Sequence, residues 1–197
     1  MVKAVIFDVD GVIIDISIEK AQEQLERDYG ISPSQTESFF KNEFLSCLRG
    51  EKDLKEEIAP YLRKWKWNDS VNAFLDYWFE SQKEVDERLI EEIKDLKKQK
   101  IKVCIATNQE KYRAEYLLNR LGFKNIFDDI FVSSTIGFTK KNPEFFKLVL
   151  QKIDLKPNEV IFWDDHMSYV QSAESLGINA HFYANFDQYK KIMDSLI

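Results

Sequence analysis

The sequence predicts an α/β fold, a doubly wound parallel sheet interrupted by an inserted all-helical unit. Three observations predict it. Short apolar runs recur as AVIF, IKVCIAT and VIFW, and each ends abruptly in polar residues: Asp8 to Asp10, Thr107-Asn108 and Asp164-Asp165. Runs of this length bounded by turn residues read as strands buried on both faces of a parallel sheet. From Asp86 onward such runs alternate with helical patterns, the mark of a sheet wound on both sides. Between them, from residue 16 to 85, only helical periodicity is convincing.

The chain opens on AVIFDVDGV, Ala4 to Val12. Side chains two apart on a strand share a face, so Asp8 and Asp10 leave the sheet together at its C-terminal edge, where open α/β sheets bind ligands. Gly11 lets the backbone turn sharply away. Paired acids at a strand exit are costly to fold around unless they hold a cation or do chemistry. Asp15 to Tyr29 carries Ile18, Ala21, Leu25 and Tyr29 at helical spacing, and Gly30 to Pro33 stops that helix and starts another. Phe39, Phe40, Phe44, Leu45 and Leu48 line one face of a single helix over Thr36–Leu48, broken at Arg49-Gly50. A helix resumes over Glu51–Leu62 as far as Pro60. Trp65 to Trp67 reads as strand or helix, and Asp69-Ser70 caps a last helix bearing Phe74, Leu75, Trp78 and Phe79.

Leu89, Ile90, Ile93 and Leu96 then mark a helix before the strand Ile101–Thr107. Tyr112, Tyr116, Leu117 and Leu121 give a helix closed by Gly122, Ile130–Val132 a short strand, and Phe145–Leu150 a helix after Pro143. The strand Val160–Trp163, a helix ending at Leu176-Gly177, the strand Asn179–Tyr183 and a closing helix complete the chain. The expected domains are a core of residues 1–15 and 86–197 with a helical cap at 16–85.

Composition narrows the function classes. With 197 residues, 44% hydrophobic and 31% charged, the chain has the make-up of a globular protein. A formal charge of -6 argues against nucleic acid or an anionic membrane as partner. No apolar run reaches a membrane span and no signal peptide precedes the first strand. Cys47 and Cys104 lie far apart, and Cys104 sits in a buried run, so free thiols in a reducing compartment are expected, hence a cytoplasmic location. The Phe-rich cap helices can pack on one another or against a second chain, which leaves oligomeric state open.

Brought together, the strand ends would gather Asp8, Asp10, Thr107, Asn108, Asp164 and Asp165. So many carboxylates around one point cannot all ionise without a cation. All-oxygen ligation suits Mg²⁺, which works beside phosphate. Lys140 and Lys141 add positive charge before the helix opening at Pro143. A nucleophile, a metal, a cation and hydrogen-bond donors are the parts of phosphoryl transfer. Taken singly, Thr107-Asn108 and Asp164-Asp165 read as helix caps, His166 as a helix-opening residue and His181 as a side chain with a structural hydrogen bond. Arg49, beside Gly50, is the best cap candidate to reach a substrate. The cap aromatics read as core, with one or two of Trp65, Trp67, Phe74, Trp78 and Phe79 lining the cleft in the sharper version.

In order, these motifs resemble those of the haloacid dehalogenase superfamily, over nearly all of the core. FDVDGV resembles the first motif, with Asp8 in the nucleophile position and Asp10 in the acid/base position. Thr107-Asn108 resembles the second, Lys140 before Pro143 the third, and Asp164-Asp165 the fourth. The insertion resembles the small cap of the family's sugar-phosphate phosphatases. The resemblance implies a Rossmann-like core and Mg²⁺-dependent hydrolysis of a small phosphorylated metabolite, a sugar phosphate being one such ester. Asp8 would form an aspartyl-phosphate, and Asp10 would protonate the leaving oxygen and then activate water. Thr107 and the Asn108 backbone would hold phosphoryl oxygens, Lys140 would neutralise them, and Asp8, Asp165 and the carbonyl of Asp10 would hold Mg²⁺.

Two departures stand out. The family usually reads Lys-Pro-Asp-Pro where this chain has Lys140-Lys141-Asn142-Pro143; counting back from Pro143 favours Lys140 over Lys141. Tyr169 stands four residues beyond Asp165, where the family often has Asp or Asn. A phenol supplies no charge at neutral pH, which leaves Asp164 as the other support for the lysine. Competing readings are a β-phosphoglucomutase-like phosphotransferase and a catalytically weak phosphate-binding module. A dehalogenase is disfavoured, because a departing halide needs no proton from Asp10.

Overall fold

The computed structural model describes residues 1–15 and 18–197, leaving out the side chains of 18–20. The described residues form one five-stranded sheet of β1 (Ala4–Phe7), β2 (Lys102–Thr107), β3 (Asp129–Val132), β4 (Val160–Asp164) and β5 (Asn179–Phe182). Between β1 and β2 run α1 (Ile18–Tyr29), α2 (Pro33–Lys41), α3 (Glu43–Leu48), α4 (Leu54–Lys64), α5 (Val71–Glu80) and α6 (Glu87–Lys98). After β2 come α7 (Lys111–Glu115), α8 (Ser133–Ile136), α9 (Pro143–Ile153), α10 (Met167–Glu174) and α11 (Phe186–Leu196).

Every strand pair is parallel and the order is β3-β2-β1-β4-β5. The chain winds outward from β1 to β3, then crosses back to β4, so its direction reverses beside the central strand. Ligands bind at such a switch point. The strand period of two sorts the core. Val5 and Phe7 pack with Val103, Ile105 and Trp163 under α6 and α11, while Ala4 and Ile6 pack with Cys104, Ala106 and Phe162 under α9 and α10. The fold is therefore wound on both faces.

Helices α1 to α5 form the inserted cap, with a hydrophobic cluster around Phe39, Ile58, Trp65, Phe74 and Phe79 that Tyr116 joins from the core. The chain leaves and re-enters the sheet at one seam: Ile14 bridges Val85, Asp15 N–H donates to Glu84 O at 2.9 Å, and Asp86 N–H to Ile13 O at 2.9 Å. The expected start of the first helix at Asp15 runs into residues 16 and 17, outside the described residues.

Four local features depart from the sequence pattern. The helix expected over Thr36–Leu48 is two, because Asn42 turns its side-chain amide onto Ser38 O (2.8 Å) and leaves helical geometry at φ -120, ψ -81. Helix α4 runs straight through Pro60 to Lys64. An interior proline costs about 3 kcal/mol, but Leu54, Ile58, Leu62 and Trp65 are all buried on this helix, each contributing roughly 1.5–3 kcal/mol. Trp65–Trp67 is a helix stop: Lys66 takes φ 60, its N–H bonds Arg63 O, and Trp67 N–H reaches back to Leu62 O at 3.0 Å. The helix expected through Leu121 passes from α7 into a π turn over Tyr116–Arg120.

Cys47 and Cys104 are both buried free thiols, and burial pushes their pKa values up to about 11 and about 12. Among the described residues no helix is long and apolar enough to cross a membrane.

Candidate active site

The central strands end in the predicted site. Asp8 follows β1, its N–H extending the ladder to Trp163 O at 2.9 Å, and its Oδ1 accepts from Val9 N–H at 2.7 Å. The chain then coils into a turn in which Ile13 and Ile14 N–H both bond Val9 O at 2.8 Å. Gly11 makes this possible twice over. It sits at φ +81, and a Cβ there would lie 2.0 Å from Asp165 Oδ2. Thr107 closes β2 and Asp164 closes β4, both buried, with the more exposed Asp165 next in line.

Asp8, Asp164 and Asp165 each offer a carboxylate oxygen, all within 4.8 Å of one another. That all-oxygen set fits a hard divalent cation such as Mg²⁺. Burial raises Asp165 above the usual carboxylate range, and the neighbouring charge of Asp8 raises it further; burial likewise raises Asp164. Three acids so disposed call for positive charge. The carboxylate of Asp10 is outside this triad and faces the cap instead, so only the backbone carbonyl predicted for that residue remains as its link to a metal.

Lys140 supplies one cation. Its Nζ is 2.6 Å from Asp8 Oδ1 and 2.6 Å from Asp164 Oδ2 at 1% exposure, whereas Lys141 is exposed to solvent. Burial works to lower its proton affinity, but the two carboxylates override it and hold Lys140 above the usual lysine range. Asn108 sets its position, accepting the Lys140 backbone N–H on Oδ1 at 2.9 Å. Tyr169 turns a ring face to the lysine, with Lys140 Nζ 5.1 Å from the ring centroid. The electron-rich face attracts the ammonium, a form of support the side-chain charge rule overlooked. Asp164 takes the carboxylate role.

Asp10 lies on a different set of partners, which the sequence did not disclose. Gln109 Nε2 donates to its Oδ2, and Arg113 Nη2 stands 3.5 Å from its Oδ1, an oxygen with no hydrogen-bond partner among the described residues. Burial raises the pKa of Asp10, the Arg113 guanidinium opposes it, and Asp8 adds to the rise. Buried Arg113 also donates to Phe79 O (3.0 Å) and Gln82 O in the cap. Glu110 orients it by capping α7, accepting Tyr112 N–H at 2.8 Å and Arg113 N–H at 2.5 Å; burial pushes Glu110 up to about 7. A nearby tie joins Asp53 of the cap to Tyr112 Oη (2.9 Å) and Lys111.

Other candidates fall elsewhere. Arg49 forks onto Glu51 with two 2.7 Å hydrogen bonds and is spent there; its neighbour Gly50 makes the close approach, since a Cβ at this φ +70 residue would meet Ser134 O at 2.1 Å. His166 opens α10 and stacks on Tyr169 with ring centroids 4.5 Å apart. His181 lacks the hydrogen bond expected for it: its Nε2 has no partner among the described residues, and the ring stacks on Trp163 at 4.8 Å. Burial lowers its pKa, which suits a neutral ring in that slot.

From Asp10, Asn108 and Gln109 a cavity of about 800 Å³ extends into the cap. Phe74 and Trp78 line it, while Trp65 and Phe79 are buried in the cap core.

Residues 2–177 match a family model described as haloacid dehalogenase-like hydrolase. A phosphorylated carbohydrates phosphatase of Thermotoga maritima is 27% identical over 185 residues, covering 89% of this chain and 82% of that protein. A D-ribitol-5-phosphate phosphatase of Bacteroides thetaiotaomicron is 24% identical over 190 residues, covering 90% and 89%. In fold, the chain is similar to a HAD family enzyme of Bacteroides thetaiotaomicron crystallised with magnesium and inorganic phosphate, with a TM-score of 0.79, 19% identity and coverage of 92% and 94%.

Proposed function

Because the chain belongs to the haloacid dehalogenase-like hydrolase family, we propose that it is a Mg²⁺-dependent phosphatase that hydrolyses a small organic phosphate monoester through an aspartyl-phosphate. The observation that carries this reading is the separation of two carboxylates that are neighbours in sequence. Asp8 is ion-paired to Lys140 in the sheet, while Asp10 sits apart with a raised pKa. One is suited to attack and the other to carry a proton. The relatives named for carbohydrate phosphates support a phosphorylated metabolite, with a sugar phosphate among the candidates.

In the first half-reaction Asp8 Oδ attacks phosphorus, the bond to the leaving oxygen breaks, and Asp10 gives that oxygen its proton. In the second, Asp10 takes a proton from water as the water attacks phosphorus, releasing phosphate and regenerating Asp8. Thr107 and the Asn108 backbone hold phosphoryl oxygens, and Lys140 neutralises charge on them and on Asp8. Mg²⁺, held by Asp8, Asp165 and the Asp10 carbonyl with Asp164 within reach, would supply further charge neutralisation when bound. The cap, residues 16–85 on a core of 1–15 and 86–197, covers the leaving-group side. Two buried thiols suit a reducing cytoplasm.

The test is hydrolysis of p-nitrophenyl phosphate with Mg²⁺, without it, and in Asp8→Asn. Turnover that needs Mg²⁺ and vanishes in the variant supports the proposal. Phosphate binding without turnover above the variant would replace it with a binding module.

A further inference from the structure

We infer that the ester cleaved here is the monophosphate of an apolar alcohol, alkyl or aromatic, whose carbon chain lies in the cap cavity. The inference rests on the phosphatase reading and names its substrate class. Its starting point is direction. Among the acids of the site it is Asp10, the proton donor to the leaving oxygen, that lines the cavity, together with Asn108 and Gln109. The bond from that oxygen to carbon must therefore point into the cap, and the rest of the alcohol must fill the space beyond.

That space is built for hydrocarbon. Leu25, Phe40, Phe44, Leu45, Leu48 and Trp78 form much of its wall. Phe40, Phe44 and Trp78 pack into an aromatic triangle with centroids 5.2 to 5.6 Å apart. At about 800 Å³ the cavity falls within the range of about 300–1,000 Å³ usual for small-molecule sites.

Several of the polar groups that border it are spent. Thr36 Oγ1 donates to Pro33 O, Tyr77 Oη to Asp28 and Ser81 Oγ to Trp78 O. Among the described residues the bordering cations are also committed: Lys41 pairs with Glu37, and Arg113 holds cap carbonyls beside Asp10. A sugar entering here would surrender water from several hydroxyls and find few partners, a net cost for each one. A methylene entering gains by leaving water. The same shortage of free cations disfavours a second phosphate, and with it a bisphosphate-handling mutase.

The experiment is kcat/KM for n-alkyl phosphates from ethyl to decyl, kept below their micellar concentrations, beside glucose 6-phosphate and ribitol 5-phosphate. The expected rise is on the order of three- to four-fold per added methylene, carried mainly by falling KM, until the cavity is filled. Both sugar phosphates should be worse than octyl phosphate. Leu45→Asn, on a side chain already 44% exposed, and Phe44→Ala should each lower the octyl-to-ethyl ratio. A flat series, a sugar phosphate turned over ten-fold better than octyl phosphate, or an unchanged ratio in both variants would overturn the inference while Mg²⁺-dependent turnover of p-nitrophenyl phosphate left the phosphatase reading standing. No turnover of any ester would overturn both.

Discussion

Replacing Lys140 with Met separates the electrostatics of the site from its packing. The thioether keeps most of the side-chain volume against Phe162 and Tyr169 but removes the charge that Asp8 and Asp164 share at 2.6 Å each. At an effective dielectric of about 20, each contact is an attraction of about 6 kcal/mol. Desolvation of the three buried groups returns most of the sum, and breaking such a buried arrangement costs about 3–5 kcal/mol net. The loss depends on pH in a defined direction. Burial already raises Asp164, and without the ammonium it rises further. A carboxyl raised in the folded state keeps a proton that the unfolded chain releases near its ordinary pKa of about 3.9. The destabilisation therefore grows as pH climbs from about 3.9 toward the raised folded value and is complete only above it. Urea unfolding of Lys140→Met in EDTA should show a larger penalty at pH 8, up to about 3–5 kcal/mol, than at pH 5. A penalty that is equal at both pH values, or below about 1 kcal/mol at pH 8, would refute the reasoning.

Asp10→Asn should lower kcat for alkyl phosphates by about 10²–10⁴-fold; with p-nitrophenyl phosphate a burst of nitrophenolate should persist, because that group leaves without a proton, while steady turnover falls because hydrolysis of the aspartyl-phosphate has lost its base. Arg113→Met removes the charge that opposes the rise in the pKa of Asp10, so the acid stays protonated to higher pH and the alkaline limb of kcat/KM moves upward; a limb that stays put or moves down would count against Asp10 as the acid. Gly50→Ala forces a Cβ into Ser134 O at positive φ, and thermal unfolding should report a loss of about 1–3 kcal/mol. Gly11→Ala displaces Asp165, so the Mg²⁺ concentration giving half-maximal activity should rise, with EDTA abolishing what remains.

The strands and their terminal acids were legible because a strand buried on both faces must be an uninterrupted apolar run, and Asp8, Thr107 and Asp164 stand where those runs stop. The choice of Lys140 over Lys141 followed from its distance to Pro143. Arg113 was illegible for a different reason. Its meaning depends on Phe79 O and Gln82 O, 34 and 31 residues earlier, and on an acid at the end of another strand. An arginine on a short helix otherwise reads as a solvated one. The ring face that Tyr169 turns to the lysine was illegible too, since it depends on how α10 seats against Lys140. Pro60 hid the length of α4, because burial of Leu62 and Trp65 beyond it outweighs the local penalty.

The turn after β1 is anchored at one end in the sheet and at the other in the seam through which the cap is joined, with Asp10 bridged to Ile14 and Ile14 to Val85. Two carboxylates only two residues apart are thus set by different parts of the fold: Asp8 by the sheet, through Trp163 and Lys140, and Asp10 by the seam together with Gln109 and Arg113.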